Sequence, residues 1–94
     1  MKEKYREEIL EKSKTIICND RNDQYGEPED NFELIAKYWS IYLGFEGITA
    51  SDVAIMMALF KIARMSGKNY KEDTYIDSIG YLACGAEIEH NKGE

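Results

Sequence analysis

The chain has 94 residues, of which 44% are apolar, and its 12 basic against 18 acidic side chains give a formal charge of −6. That length suits one domain, residues 1–94, able to bury roughly 65% of its unfolded surface, and the apolar fraction argues against wholesale disorder. The acidic balance disfavours a bound nucleic acid polymer, because a basic surface is what releases counterions from phosphates. A small-molecule nucleotide stays compatible with such a surface when a divalent cation stands between carboxylates and phosphates.

The opening Met1-Lys2-Glu3-Lys4 is charged and leads into no apolar core, so no secretory signal is expected. The longest apolar stretch, Val53 to Phe60, is far short of a membrane span, so no membrane partner is expected. Cys18 and Cys84 stand in no metal-like pairing and read as free thiols in a reducing cytoplasm.

Turn chemistry divides the chain at Gly26 to Pro28, Gly44 to Gly47, Ser66 to Asn69 and the Asn91-Lys92-Gly93 tail. Four segments lie between, each long enough for a helix and none alternating with period two. The first, about Lys4 to Asn22, carries Tyr5, Ile9, Ile16 and Ile17 on one stripe, which Asp20 continues. Glu7, Glu8 and Glu11 fall on the opposite, solvated face. The second opens at Pro28, followed by Glu29 and Asp30, which suit the positive end of a helix dipole. Its apolar face is Phe32, Ile35, Ala36, Tyr38, Trp39, Tyr42 and Leu43, and Gly44 ends it.

The third starts with Thr49 as N-cap and Asp52 three residues on, a capping-box arrangement. It continues through Val53 to Phe60 with apolar residues on every side, and such a helix must be covered all round. Three neighbours from one small chain hardly suffice, so a homodimer or higher homo-oligomer is expected. The fourth, about Glu72 to His90, carries Gly80, Ala83, Gly85 and Ala86, which permit close helix approach. The fold class is all-α, a four-helix bundle.

Several polar groups fall on or beside apolar faces, where an unpaired charge costs several kcal/mol. They are Asp20, Glu29, Asn31, Glu33, Asp52, Asp73 and Asp77, answered by the cations Arg21, Lys61 and Arg64. Two readings are open. In the structural one, Asp52 caps its helix and Asp77 pairs with Lys61 or Arg64. In the functional one, carboxylates converge on Mg²⁺ while Arg21, Lys61 and Arg64 hold phosphates. Tyr25, Tyr38, Trp39, Tyr42 and Tyr81 either stack a base or fill the core. His90, near the end of the chain, leaves no Ser-His-Asp or Cys-His system to assemble.

The run Arg21-Asn-Asp-Gln-Tyr25-Gly26-Glu-Pro-Glu-Asp-Asn31-Phe32, then Trp39, Asp52-Val-Ala-Ile-Met56-Met57, Lys61-Ile-Ala-Arg64 and Asp77-x-x-Gly80-Tyr81, resembles an uncharacterised small helical family of phages and prophages. More loosely it resembles the all-α nucleoside triphosphate pyrophosphohydrolases of the MazG type. These are helical oligomers that use Mg²⁺ to release pyrophosphate from nucleotides, through Glu-Glu-x-x-Glu on one helix and Glu-x-x-Asp on the next. Glu29-Asp30-Asn31-Phe32-Glu33 is a degenerate form of the first motif, and Thr49-Ala50-Ser51-Asp52 keeps the Asp of the second; an alternative registration puts that Asp at Asp77.

The resemblance implies a Mg²⁺-dependent nucleoside triphosphate pyrophosphohydrolase or a nucleotide-binding relative. Glu33, Asp52 and Asp77 would be catalytic and, with Glu29, would ligate the metal. Arg21, Lys61 and Arg64 would hold phosphates, and Tyr25 and Asn31 the base or sugar. The alternative is a non-catalytic dimeric phage interaction protein, whose aromatic and Met-bearing helices bind a partner.

Overall fold

A computed structural model describes residues 4–67 and 69–93; the readings placed on Met1 to Glu3 and on Lys68 lie outside them. Among the described residues every regular element is helical, in four rods. The first rod is α1 (Tyr5–Thr15), a π-helical turn (Ile16–Asp20) and α2 (Arg21–Tyr25) in unbroken succession. Then come α3 (Pro28–Leu43), α4 (Ala50–Ala63), continued by a 3₁₀ turn (Arg64–Ser66), and α5 (Glu72–Lys92).

The boundaries follow from local chemistry. Gly26, at φ 79°, ends the first rod in a conformation that L side chains rarely adopt, and Pro28 opens α3. Gly44, at φ 64°, gives α3 its left-handed cap. The capping box forms as expected: the Thr49 hydroxyl accepts from the Asp52 backbone N–H at 3.1 Å, and the Asp52 carboxylate accepts from the Thr49 N–H at 3.0 Å. The tail from Asn91 does not break the last helix, which runs on to Lys92.

The core is where α3, α4 and α5 meet, around Phe32, Ala36, Ala50, Val53, Ala54, Cys84 and Ile88. Gly85 brings α5 close to α4: an added Cβ would lie 3.1 Å from that of Ala54. Gly80 does the same for the first rod, since its added Cβ would meet Ile17 Cγ2 at 2.7 Å. Beside it the buried Ser13 hydroxyl donates to the Ile76 carbonyl at 3.0 Å, tying α1 to α5.

Gly80→Ala thus sets roughly 1 kcal/mol of gained helix propensity against roughly 1–3 kcal/mol of overpacking. Ile17, β-branched and stiff at χ1, cannot swing aside cheaply. The clash is expected to win, lowering the melting temperature by several degrees in a thermal melt. An unchanged or raised value would mean that the rod slides off at no cost.

The wider π turn corrects the reading of Asp20. Three residues in such a turn advance less around the axis than in an α-helix. Asp20 therefore falls short of the Ile9–Ile16–Ile17 stripe and is exposed.

The all-apolar α4 is covered on one side only. Val53, Ala54 and Ala58 are buried, while the outward Ile55 and Leu59 stay 50% and 57% exposed, beside Met56, Phe60 and Ile62. Tyr38, Tyr42 and Leu43 of the expected α3 face are also exposed, because that face is wider than its neighbours and only Phe32, Ile35, Ala36 and Trp39 reach the core. The radius of gyration is 14.7 Å, against about 12 Å for a compact domain of this length.

Candidate functional site

A cavity of about 280 Å³ opens between the end of the first rod, the start of α3 and the middle of α5. This is near the lower end of the roughly 300–1,000 Å³ typical of small-molecule sites. Ile16, Ile17, Phe32, Ile35, Met57, Ile76 and Cys84 make its apolar lining. The π turn helps to shape one wall. An α-helical stripe at four-residue spacing drifts around the axis, and the wider turn offsets the drift, so that Ile17, Arg21 and Tyr25 all line the cavity.

Polar groups stand around this apolar lining. Arg21, Tyr25, Asn31 and Tyr81 line the cavity, and their side chains form no hydrogen bond or ion pair with the described residues. Asn22 is engaged, donating to the Glu27 carboxylate at 3.1 Å. The Tyr81 ring packs tilted against Phe32, 6.2 Å between centroids. Burial, with smaller repulsions from Glu87 and Cys18, pushes the Cys84 thiol up to about 11. At neutral pH it is therefore an apolar thiol rather than a nucleophilic thiolate.

Asp77 forms the boundary with a second, polar groove of about 880 Å³, since it lines both. Its carboxylate is 3.0 Å from Lys61 Nζ, and the two side chains are only 17% and 18% exposed. Lys61, Arg64 and Lys71 line the groove with Ser66, Asn69 and Thr74. Arg64 stacks over the Phe60 ring, 4.3 Å from its centroid.

The structure sorts the expected site residues into separate places. Arg21, Tyr25, Asn31 and Asp77 share the apolar cavity, and Lys61 and Arg64 share the groove with Asp77. Glu29 and Glu33 are exposed and line a third depression, between α3 and the end of α5. Asp52 is occupied by its capping box, on the uncovered side of α4. Asp73 is exposed at the groove.

Glu33, Asp52 and Asp77 thus share no single cavity, because capping, ion pairing and an exposed helix face hold them apart. Among the described residues no group of three or more His, Cys, Asp or Glu side chains is placed to hold a metal ion. The described residues of one chain thus gather no such ligand set for Mg²⁺. Of the aromatic set, Tyr25 and Tyr81 reach the cavity, Trp39 packs on the core, and Tyr38 and Tyr42 face outward. Sequence reasoning missed the hydrophobic floor of Met57, Ile76 and Cys84, whose only trace is the ordinary apolar face of each helix.

These features define an all-α protein with a ligand-sized apolar cavity, bordered by a polar groove. The chain belongs to the family described as "Domain of unknown function (DUF6378)", which it matches over residues 8–89. It is 45% identical to the "Gene 55 protein" of Mycobacterium phage D29 over 82 residues, 87% of this chain and 54% of that protein. To the "Gene 55 protein" of Mycobacterium phage L5 it is 41% identical over 73 residues, 78% of this chain and 47% of that protein. The chain therefore spans about half the length of these phage relatives. No solved structure matches it. No helix among the described residues is long and apolar enough to cross a membrane.

Proposed function

We propose that this chain is a nucleotide-binding relative of the MazG-type enzymes, with the cavity between the first rod, α3 and α5 as its base or nucleoside site. The observation that carries this reading is the pairing of an apolar cavity with uncommitted polar groups. Arg21, Asn31, Tyr25 and Tyr81 can donate to the edge of a planar heterocycle, while Phe32 and Tyr81 offer it aromatic surface. Hydrolysis with Mg²⁺ would need acidic ligands gathered at the phosphates, and those among the described residues of a single chain stand apart. The reading is therefore one of binding, and no chemical step is assigned to the ion.

The test is a panel of deoxynucleotides, with and without Mg²⁺, followed by thermal shift and by pyrophosphate release. The expected result is a rise in melting temperature for at least one nucleotide without the ion, since a ligand that binds only the folded state stabilises it. No shift with any nucleotide defeats the reading. Mg²⁺-dependent pyrophosphate release restores the hydrolase in place of a binding protein.

The uncovered face of α4 supports a homo-oligomer, and it also favours the second reading, a phage interaction protein. Monomeric proteins rarely expose contiguous apolar patches beyond a few hundred Å², and here Ile55, Leu59 and Ile62 of α4 all stand exposed. Leu59→Glu discriminates. In an assembly on this face it is expected to release monomers of 10.9 kDa in sedimentation or light scattering. In a chain that is monomeric to begin with, mass and melting temperature would both stay unchanged.

A further inference from the structure

The polar groove beside the cavity carries a more specific assignment. In a protein of net charge −6, three cations among the described residues line this one groove against two carboxylates, Asp73 and Asp77. Asp77 is taken by Lys61 at 3.0 Å. Arg64 and Lys71 form no ion pair with the described residues. The Arg64 guanidinium carbon lies 4.3 Å from the Phe60 ring centroid, and its N–H groups, with no hydrogen bond or ion pair to the described residues, are available to an oxyanion. Asn69 adds a neutral donor along the same wall, while the Ser66 hydroxyl is committed to the Ala63 carbonyl at 3.0 Å.

The loop that carries Lys71 is fastened nearby. The Tyr5 hydroxyl meets the Tyr70 hydroxyl at 2.6 Å and the Glu72 carboxylate at 2.5 Å, while Lys12 Nζ reaches Glu72 at 2.8 Å. The groove's cations are thus presented by a held loop and by the end of α4.

We infer that this groove is a phosphoryl subsite, in which Arg64 and Lys71 receive the phosphate groups of the ligand whose base lies in the apolar cavity. The inference rests on the nucleotide reading of that cavity. Asp77, on the boundary of both spaces, keeps Lys61 directed at the junction where the ligand would pass. The geometry also divides the cations that the sequence grouped together: Arg21 belongs to the base side, Lys61 and Arg64 to the phosphate side.

Two calorimetric titrations test the groove and the cavity separately. Inorganic pyrophosphate alone probes the groove. A nucleoside and its 5′-monophosphate, run in parallel over the four common deoxynucleoside bases, probe the cavity and then the step from one to the other. The expected result is binding of pyrophosphate and a nucleotide affinity roughly tenfold or more above that of the nucleoside. Both are lost in Arg64→Gln/Lys71→Gln, in which nucleoside affinity is retained. Because both residues are exposed, the variant should keep its circular dichroism spectrum.

Equal affinities for nucleoside and nucleotide in the unmodified protein would overturn the inference and leave the cavity reading standing. So would a pyrophosphate affinity that the double substitution does not change. If no nucleoside or nucleotide binds, the cavity reading falls, and pyrophosphate alone decides whether the groove takes phosphoryl groups.

Discussion

Replacing Ile88 by Ala is expected to remove about 2–5 kcal/mol of folding stability, the range for deleting a large aliphatic side chain from a packed interior. Ile88 is 1% exposed and belongs to the cluster in which α5 meets Val53 and Ala54 of α4 and Phe32 and Ala36 of α3. The substitution strips its outer carbons and leaves a cavity among three helices at once. In a domain worth about 5–15 kcal/mol in all, that is a large share, visible as a lower urea midpoint at unchanged slope. Leu82 is the control. It lies on the same helix but is 51% exposed, so Leu82→Ala should have a much smaller effect. Equal losses at the two positions would contradict the packing described here.

The second large effect belongs to Asp77. Asp77→Ala leaves the Lys61 ammonium, 18% exposed and previously 3.0 Å from its partner, without compensation. Removing one member of a fully buried pair costs about 3–5 kcal/mol and of a surface pair about 0–1 kcal/mol. A half-buried pair should fall between, at about 1–3 kcal/mol. Because the cost is chiefly that of the stranded cation, Lys61→Met in the same chain should recover much of it. A double-mutant cycle by urea denaturation measures the difference. Additive losses at the two positions would show that the pair contributes nothing to stability. The cycle also separates Asp77 as an ion-pair member from Asp77 as a metal ligand, because Lys61→Met would do nothing to restore a ligand.

Particular residues show how far the sequence could be read. Pro28, Gly44 and the Thr49-x-x-Asp52 pair act through backbone chemistry at their own positions, so the helix boundaries they set were legible. Ile9, Phe32 and Ala36 were legible as interior because a 3.6-residue period marks them, whereas in α4, apolar on every side, no period singled out the buried Val53 and Ala54. The π turn was not. It adds a residue to one turn without any Gly or Pro to announce it, and it moved Asp20 off the stripe where a regular helix would have kept it.

The candidate site was half legible. Asn31, Lys61, Arg64 and Asp77 were marked by polar groups set on or beside an apolar face, Arg21 as one of the few cations to answer them and Tyr25 through the family resemblance. All six line one or other of two adjoining spaces. Helical projection gives the face of a single helix, however, and says nothing of which faces share a cavity. The MazG resemblance grouped Glu33 and Asp52 with Asp77, and helical projection had no means to part them. Asp52 sits on the α4 face that the chain leaves open, and its box with Thr49 gives that carboxylate a local partner. Glu33 faces the far side of α3, with Glu29, Lys37 and Glu46 in the depression there.

The acidity of the chain accordingly divides. Most carboxylates are exposed, as on the outer side of α1. The half-buried Asp77 is answered by Lys61, and Arg21, Arg64 and Lys71 line the spaces a ligand could enter. A nucleotide in this chain would thus meet arginine, lysine, amide and tyrosine donors before it met a cluster of carboxylates.

The account is tested most directly by nuclear magnetic resonance, with the isotopically labelled chain titrated by the nucleotide panel in the presence of chelator and then of Mg²⁺. Chemical-shift changes at Tyr25, Asn31 and Tyr81 already in chelator are the predicted result. Shifts confined to Glu29, Glu33 and Asp52 that arise only with Mg²⁺, or no shift at the cavity with any nucleotide, would contradict it.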